Sequence, residues 1–334
     1  MDKKRKKPVP YKVLSKTYKN KKSMILITQG HENSISIEVF LKSFLLLHSE
    51  EQEKILFFTF KNSLEKTLKL LKLNYIFYDK SVLIGQSLLK CRFLTNFEEP
   101  ESTVALIEAI KAIKDEKDIL LTLPTSKDQL YFEKNLTKGH TEFLRSYFKK
   151  ENLSMVFSAN NENILLISDH IPLRHVPDFI KSNVIIEKVS DSIIHFNRYF
   201  NSLTEVFISG LNPHAGEKGL LGNEENEIQD AIANLRKLYP QVTFEGPIPG
   251  DGIHLQKTKK QAHQLYVYMY HDQGLSPFKQ KHGLVGLHMT FGLPFLRMSV
   301  DHGTGFEIYG KRKANPTGCY HLLKKSLIIQ NKLL

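Results

Sequence analysis

Three loops in this 334-residue chain each offer a histidine directly after a short apolar run. They are Ser168-Asp169-His170-Ile171-Pro172-Leu173-Arg174, Gly210-Leu211-Asn212-Pro213-His214-Ala215-Gly216-Glu217 and Tyr270-His271-Asp272-Gln273-Gly274-Leu275. Neutral imidazole is the commonest side-chain ligand of transition metals. Three protein ligands with one position left open is the pattern of a catalytic divalent site rather than a structural one. The spacing is long, so the set is a constellation that only a fold can assemble. Any one of the chain's 14 histidines, taken alone, is more often a surface or hydrogen-bonding residue.

Cations follow the third loop. Lys279 and Arg297 could together hold a small phosphorylated molecule, Arg as a planar fork and Lys as a point charge. On composition alone, two ordinary surface cations are the favoured reading. Gly139-His140-Thr141-Glu142-Phe143 places an imidazole and a hydroxyl where a helix opens, a plausible anion contact. Simple N-capping by Thr141 is the plainer alternative. Asp251, in Pro247-Ile248-Pro249-Gly250-Asp251, is a candidate general base, although local pattern prefers an Asx turn.

The elements that must position these groups alternate. Strands are expected at Met24–Thr28, Lys54–Phe60, Ile119–Leu123, Ile164–Ser168, Glu205–Ser209 and Gln264–Met269. Helices are expected at Ile35–His48, Leu64–Leu73, Thr103–Ile113, Val184–Phe200, Glu224–Leu238 and Thr317–Gln330, with Asn223 as an N-cap. Strands alternating with helices predict α/β architecture with largely parallel sheets, whose functional loops follow the carboxyl ends of strands.

Composition excludes several classes. An apolar fraction of 41% and a charged fraction of 25% are ordinary globular values. No apolar run approaches the ~20 residues of a membrane span. Cys91 and Cys319 lie far apart and outside any CxxC pattern, which argues against a disulfide framework or structural zinc and fits a reducing cytoplasm. The net charge of +12 is concentrated in residues 1–22, which hold ten Lys/Arg against one Asp. The remainder holds 37 basic and 34 acidic side chains, so the arm reads as a solvated terminus and nucleic acid as an unlikely partner.

Six segments, in order, resemble one enzyme family: GHTEF (Gly139–Phe143), DHIPLR (Asp169–Arg174), LNPHAGE (Leu211–Glu217), MYHDQGL (Met269–Leu275), TFGLPFLR (Thr290–Arg297) and SVDHGT (Ser299–Thr304). The family is the 4-hydroxythreonine-4-phosphate dehydrogenases of vitamin B6 (pyridoxal phosphate) biosynthesis. The resemblance implies two α/β domains similar to the isocitrate and isopropylmalate dehydrogenases, with the active site in a cleft near a homodimer interface. One domain would comprise 23–137 plus 301–334 and the other 138–300. It implies NAD and a divalent metal (Zn, Mg or Co), His170, His214 and His271 as metal ligands, and His140, Thr141, Lys279 and Arg297 as substrate contacts. Asp251, Asp272 and a metal-bound water are the candidates for taking the hydroxyl proton.

The chain departs from the family pattern in its first half. Where a GDPAGIGPE-like loop is expected, Gly30 is followed by His31-Glu32-Asn33-Ser34-Ile35-Ser36-Ile37-Glu38. A TGPxxKG-like segment reads Thr122-Leu123-Pro124-Thr125-Ser126-Lys127-Asp128, without its glycines, and His288 stands where an Asn is expected. A threonate or erythronate 4-phosphate dehydrogenase, or a binding paralogue with impaired turnover, is therefore an alternative reading. No G-x-G-x-x-G fingerprint is present, so no cofactor-binding residue is assigned.

Overall fold

The structure is a computed structural model describing residues 23–95, 98–160, 162–256 and 263–334. The basic arm lies outside the described residues. Among those described, thirteen strands form one continuous mixed sheet. From one edge the order runs Thr243–Ile248, Glu205–Ser209, Gln264–Tyr268, Glu162–Leu166, Ser154–Ala159, Leu287–Phe291 and Leu296–Val300. It continues through Ile119–Thr122, Ile25–Thr28, Ile55–Phe60, Ser87–Leu94 and Ser81–Ile84 to Tyr75–Tyr78. Strands drawn from 138–300 thus occupy one stretch and those from 23–137 the other. The two meet where Leu296–Val300 pairs in parallel with Ile119–Thr122.

The α/β expectation holds, and the parallel strands are those with uniform apolar runs. Ile25–Thr28 is buried at every residue, as a strand covered on both faces must be. The helices that cover the sheet turn in apolar stripes: Ile185, Val189, Ile193 and Phe196 of Ser182–Tyr199 are all buried.

The expectation of a largely parallel sheet needs correction. Ser154–Ala159 and Leu287–Phe291 run antiparallel to their neighbours near the middle, and Tyr75–Tyr78 and Ser81–Ile84 do so at one edge. Three local expectations also change. The helix expected over Ile35–His48 ends at Phe44, with a separate turn at Ser49–Gln52. The segment after Tyr270 is a helix, His271–His282, rather than a loop. Asn223 does not cap the helix Glu225–Leu238, whose cap position is Glu224. The Glu225 carboxylate turns back instead to accept the amides of Leu211 (3.0 Å) and Asn212 (2.8 Å).

Candidate active site

The strands Glu162–Leu166, Gln264–Tyr268 and Glu205–Ser209 are neighbours in the sheet and parallel, so their following loops share one edge. Side chains knit those loops. Ser168 Oγ donates to the Met269 carbonyl at 2.8 Å. Gln273 Oε1 accepts from Met269 N (2.8 Å) and Ser209 Oγ (3.1 Å), while its Nε2 donates to the Gly210 carbonyl at 2.9 Å. One amide therefore ties the start of the His271–His282 helix to the His214 loop. Gln273 was not singled out from sequence, although it lies within the quoted MYHDQGL segment.

His170 and His271 come together, ring centroids 5.6 Å apart. Burial is the main cause holding His170 below the usual imidazole range, with the neighbouring His271 and Arg145 adding to it against the pull of Asp169. It is therefore a neutral ring with a lone pair to offer. Asp272 Oδ1 lies 2.7 Å from His271 Nδ1, which orients that ring and leaves Nε2 free. Beneath His170, Asp169 accepts the His170 amide at 2.8 Å and is paired with Arg145. Burial alone would raise the Asp169 carboxyl, but Lys188 and Arg145 outweigh it and hold it below its usual value.

His214 stays apart from this pair. Its side chain is 74% exposed, with Nδ1 3.8 Å from Glu217 Oε1. The backbone from His214 to Lys218 is left-handed at every residue, φ running from 47° to 75°. Left-handed backbone costs a non-glycine residue about 1–2 kcal/mol, so the loop needs external support. Glu225 supplies it, and Gly216 is required because a Cβ there would stand 2.5 Å from the Glu225 carboxylate. Among the described residues, no three His, Cys, Asp or Glu side chains are close enough to hold a metal ion.

A cavity of about 400 Å³ opens beside the His170–His271 pair, and His140, Thr141, Lys279 and Arg297 all line it. Arg297 is 1% exposed. Its guanidinium donates only to neutral acceptors: Nε to Thr122 Oγ1 (3.1 Å), Nη1 to Thr290 Oγ1 (3.1 Å) and to His288 Nδ1 (3.3 Å). Burial pushes its pKa down to about 9, leaving it charged at neutral pH. Among the described residues no carboxylate pairs with it. Lys279 reaches Asp301 Oδ1 at 3.1 Å, and burial raises that carboxyl. His140 and Thr141 begin the helix His140–Phe148, whose cap position is Gly139, so Thr141 is not the cap. Burial, reinforced by Arg297, holds His140 well below the usual imidazole range.

Asp251 and Asp272 lie outside the cavity lining. Asp251 is exposed in a turn whose Gly250 packs on Gln273, and Asp272 is 80% exposed on His271. The two altered first-half segments touch each other. His31 N donates to the Pro124 carbonyl at 3.1 Å and Ser36 Oγ donates to the same oxygen. A Cβ at Gly30 would stand 1.9 Å from it, which explains why glycine persists there.

A buried cation that no carboxylate among the described residues neutralises, lining one cavity with a pair of imidazoles, makes a site suited to a small anion. Comparison with known proteins narrows the class. The family model "pyridoxal phosphate biosynthetic protein PdxA" matches residues 60–324, and the chain belongs to that family. A 4-hydroxythreonine-4-phosphate dehydrogenase of Sulfurihydrogenibium sp. (strain YO3AOP1) is 32% identical over 92% of this chain and 98% of its own. A D-threonate 4-phosphate dehydrogenase of Pectobacterium atrosepticum is 33% identical over 61% of this chain and 62% of its own. A crystal structure of the Klebsiella pneumoniae 4-hydroxythreonine-4-phosphate dehydrogenase superposes with a TM-score of 0.74 at 24% identity, covering 92% of this chain and all of that one. The last likeness concerns the fold. No helix among the described residues is long and apolar enough to cross a membrane.

Proposed function

We propose that this chain is a cytoplasmic, homodimeric enzyme that oxidises 4-phosphooxy-L-threonine to 2-amino-3-oxo-4-phosphooxybutanoate, which then decarboxylates, in pyridoxal phosphate biosynthesis. The observation that carries the reading is Arg297, a guanidinium buried in a cavity wall with no counter-charge among the described residues. A charge so placed is costly unless an anion completes it. A phosphate oxygen on Arg297, with Lys279 at the rim and the amino end of the His140 helix alongside, would fix the register of a four-carbon chain.

The donor set of the imidazole pair suits Zn or Co, which with Mg are the divalent ions expected here. His170 and His271 would hold the ion, and we assign the third ligand to His214 of a second copy, since that ring is exposed and does not join its own chain's pair. The ion would polarise the substrate hydroxyl as a Lewis acid. Asp251, Asp272 or a metal-bound water would take the hydroxyl proton, the two carboxylates lying outside this chain's own cavity lining. NAD is the expected hydride acceptor. No residue is assigned to it, because the Gly30 loop is filled by its own contacts with Pro124.

The test is NADH formation by purified protein with a divalent metal. Turnover of 4-phosphooxy-L-threonine supports the reading. Turnover only of threonate or erythronate 4-phosphate moves the substrate to the second reading, which the Pectobacterium relative favours. No turnover with any of them leaves a binding protein. Shared sites have a further signature: His214→Ala and His271→Ala chains, each inactive, should regain about a quarter of parental activity when mixed and reassembled, because half the dimers then carry one intact site. No recovery would place the third ligand elsewhere.

A further inference from the structure

Three charged side chains meet behind His170. Asp169, the residue before it, is buried. Arg145, from the helix His140–Phe148, forks onto both Asp169 oxygens, with Nη1 3.3 Å from Oδ1. Lys188, from the helix Ser182–Tyr199, is 1% exposed. Burial raises the Asp169 carboxyl, and Lys188 is the largest influence that lowers it. Both cations also donate to one carbonyl, that of Leu153: Lys188 Nζ at 3.0 Å and Arg145 Nη2 at 3.3 Å. Leu153 leads into the strand Ser154–Ala159, which pairs with Glu162–Leu166, the strand that runs out to His170. Burial pushes Lys188 down to about 8, so its charge persists at neutral pH.

Stability does not account for two cations on one buried carboxylate, because apolar side chains in place of buried ions are often as stable or more so. Attraction of a metal does not account for them either. Like charges repel, and more strongly away from water, so Arg145 and Lys188 oppose an ion at His170. What the three groups supply is geometry. Asp169 Oδ1 accepts the His170 amide at 2.8 Å, and the Asp169 carbonyl accepts the Ile171 amide at 2.9 Å. The carboxylate and its own backbone thus set the turn that presents the His170 ring. Arg145 ties that turn to the helix that begins with His140 and Thr141, and all four residues line one cavity with Asp169.

We infer that Arg145 and Lys188 are positioning residues: through Asp169 they clamp His170 in place between the helices His140–Phe148 and Ser182–Tyr199. The clamp holds the ligand's geometry at the expense of its electrostatics. The inference rests on the reading of His170 as a metal ligand.

The test uses the full-length protein and cobalt(II), without substrate. Arg145→Met and Lys188→Met each leave one cation on Asp169, so the buried charge is balanced and melting temperatures should stay near the parent's. Chelator competition should show each variant binding cobalt about tenfold more weakly, with an altered visible absorption, because His170 is no longer held. A purely electrostatic role predicts the opposite sign, since removing a cation then tightens cobalt binding. Tighter or unchanged binding would overturn the inference. Arg145→Lys keeps the charge and loses the fork that spans both Asp169 oxygens, so it should bind cobalt as weakly as Arg145→Met. Parental affinity in Arg145→Lys would show that charge alone suffices, and would also overturn it. Should Lys188→Met fail to fold, the two variants of the partly exposed Arg145 decide the question. A parent that binds no cobalt defeats the metal reading and this inference together. A parent that binds it, with variants that match, defeats this inference alone.

Discussion

Arg297 is buried and Glu101 half-buried, both are ionisable groups held by neutral partners, and the structure uses them in opposite ways. Arg297 donates to two threonines and an imidazole and keeps its charge beside an open cavity. Glu101 accepts from Ser63 (2.5 Å) and from Gln29, whose own Oε1 accepts from Thr59 Oγ1 (2.6 Å) and Phe60 N (2.9 Å). That second knot is closed, and burial foremost raises its carboxyl toward the neutral form. The lesson is that satisfaction of hydrogen bonds does not separate ligand sites from structural ones. What separates them is whether the charge is retained and faces space.

The sharpest way to break the comparison is Arg297→Met. Removing a desolvated charge that meets an anion should lower kcat/KM about a hundredfold or more. Folding should survive, since exchanging a buried cation for an apolar side chain of similar length removes a desolvation penalty. Steady-state kinetics beside thermal melts check both halves. Collapse of the melt would mean that Arg297 is structural after all. Next in size is Asp272→Asn, which disturbs the ring that Asp272 orients. Cobalt or zinc affinity, read by chelator competition, should weaken about 10–100-fold while the melt stays unchanged. Gln273→Ala should come third. It unties the His271 and His214 loops without touching the cavity, so kcat/KM should drop about tenfold. An unaltered rate would show that the backbone alone holds those loops.

These residues also show what could be read without coordinates. Glu205–Ser209 is a strand over the expected residues, and the three histidine segments do follow neighbouring parallel strands, because buried parallel strands announce themselves as apolar runs. The strands Leu287–Phe291 and Leu296–Val300 do not. They bury Arg297, Thr290 and Ser299, with His288 beside them, and these polar residues erase the pattern that would mark a strand. The same substitution of function for apolarity that hid these elements is what makes the site. Asp301 and Gln273 were missed for a different reason: each acts through a partner distant in sequence. Nor could spacing say that His214 would stand apart from His170 and His271, since that follows from the left-handed run supported by Glu225.

Glu101→Gln should have the smallest effect and sharpens the comparison from its other side. Gln29 and Ser63 each donate to Oε2, so a glutamine can present its carbonyl oxygen to both donors and keep the knot. The folded carboxyl is raised above its ordinary value of 4.5, so the native state binds its proton more tightly than the unfolded chain. Stability from this group is then complete at pH values below 4.5 and declines as pH rises through the folded value. Glutamine, which carries no charge, escapes that decline. The melting temperature of Glu101→Gln should therefore match the parent near pH 4 and equal or slightly exceed it at pH 7. A variant less stable at pH 7 than at pH 4, relative to the parent, would mean that the carboxylate is kept charged, as Arg297 is, and would point to a cation for which Glu101 is reserved.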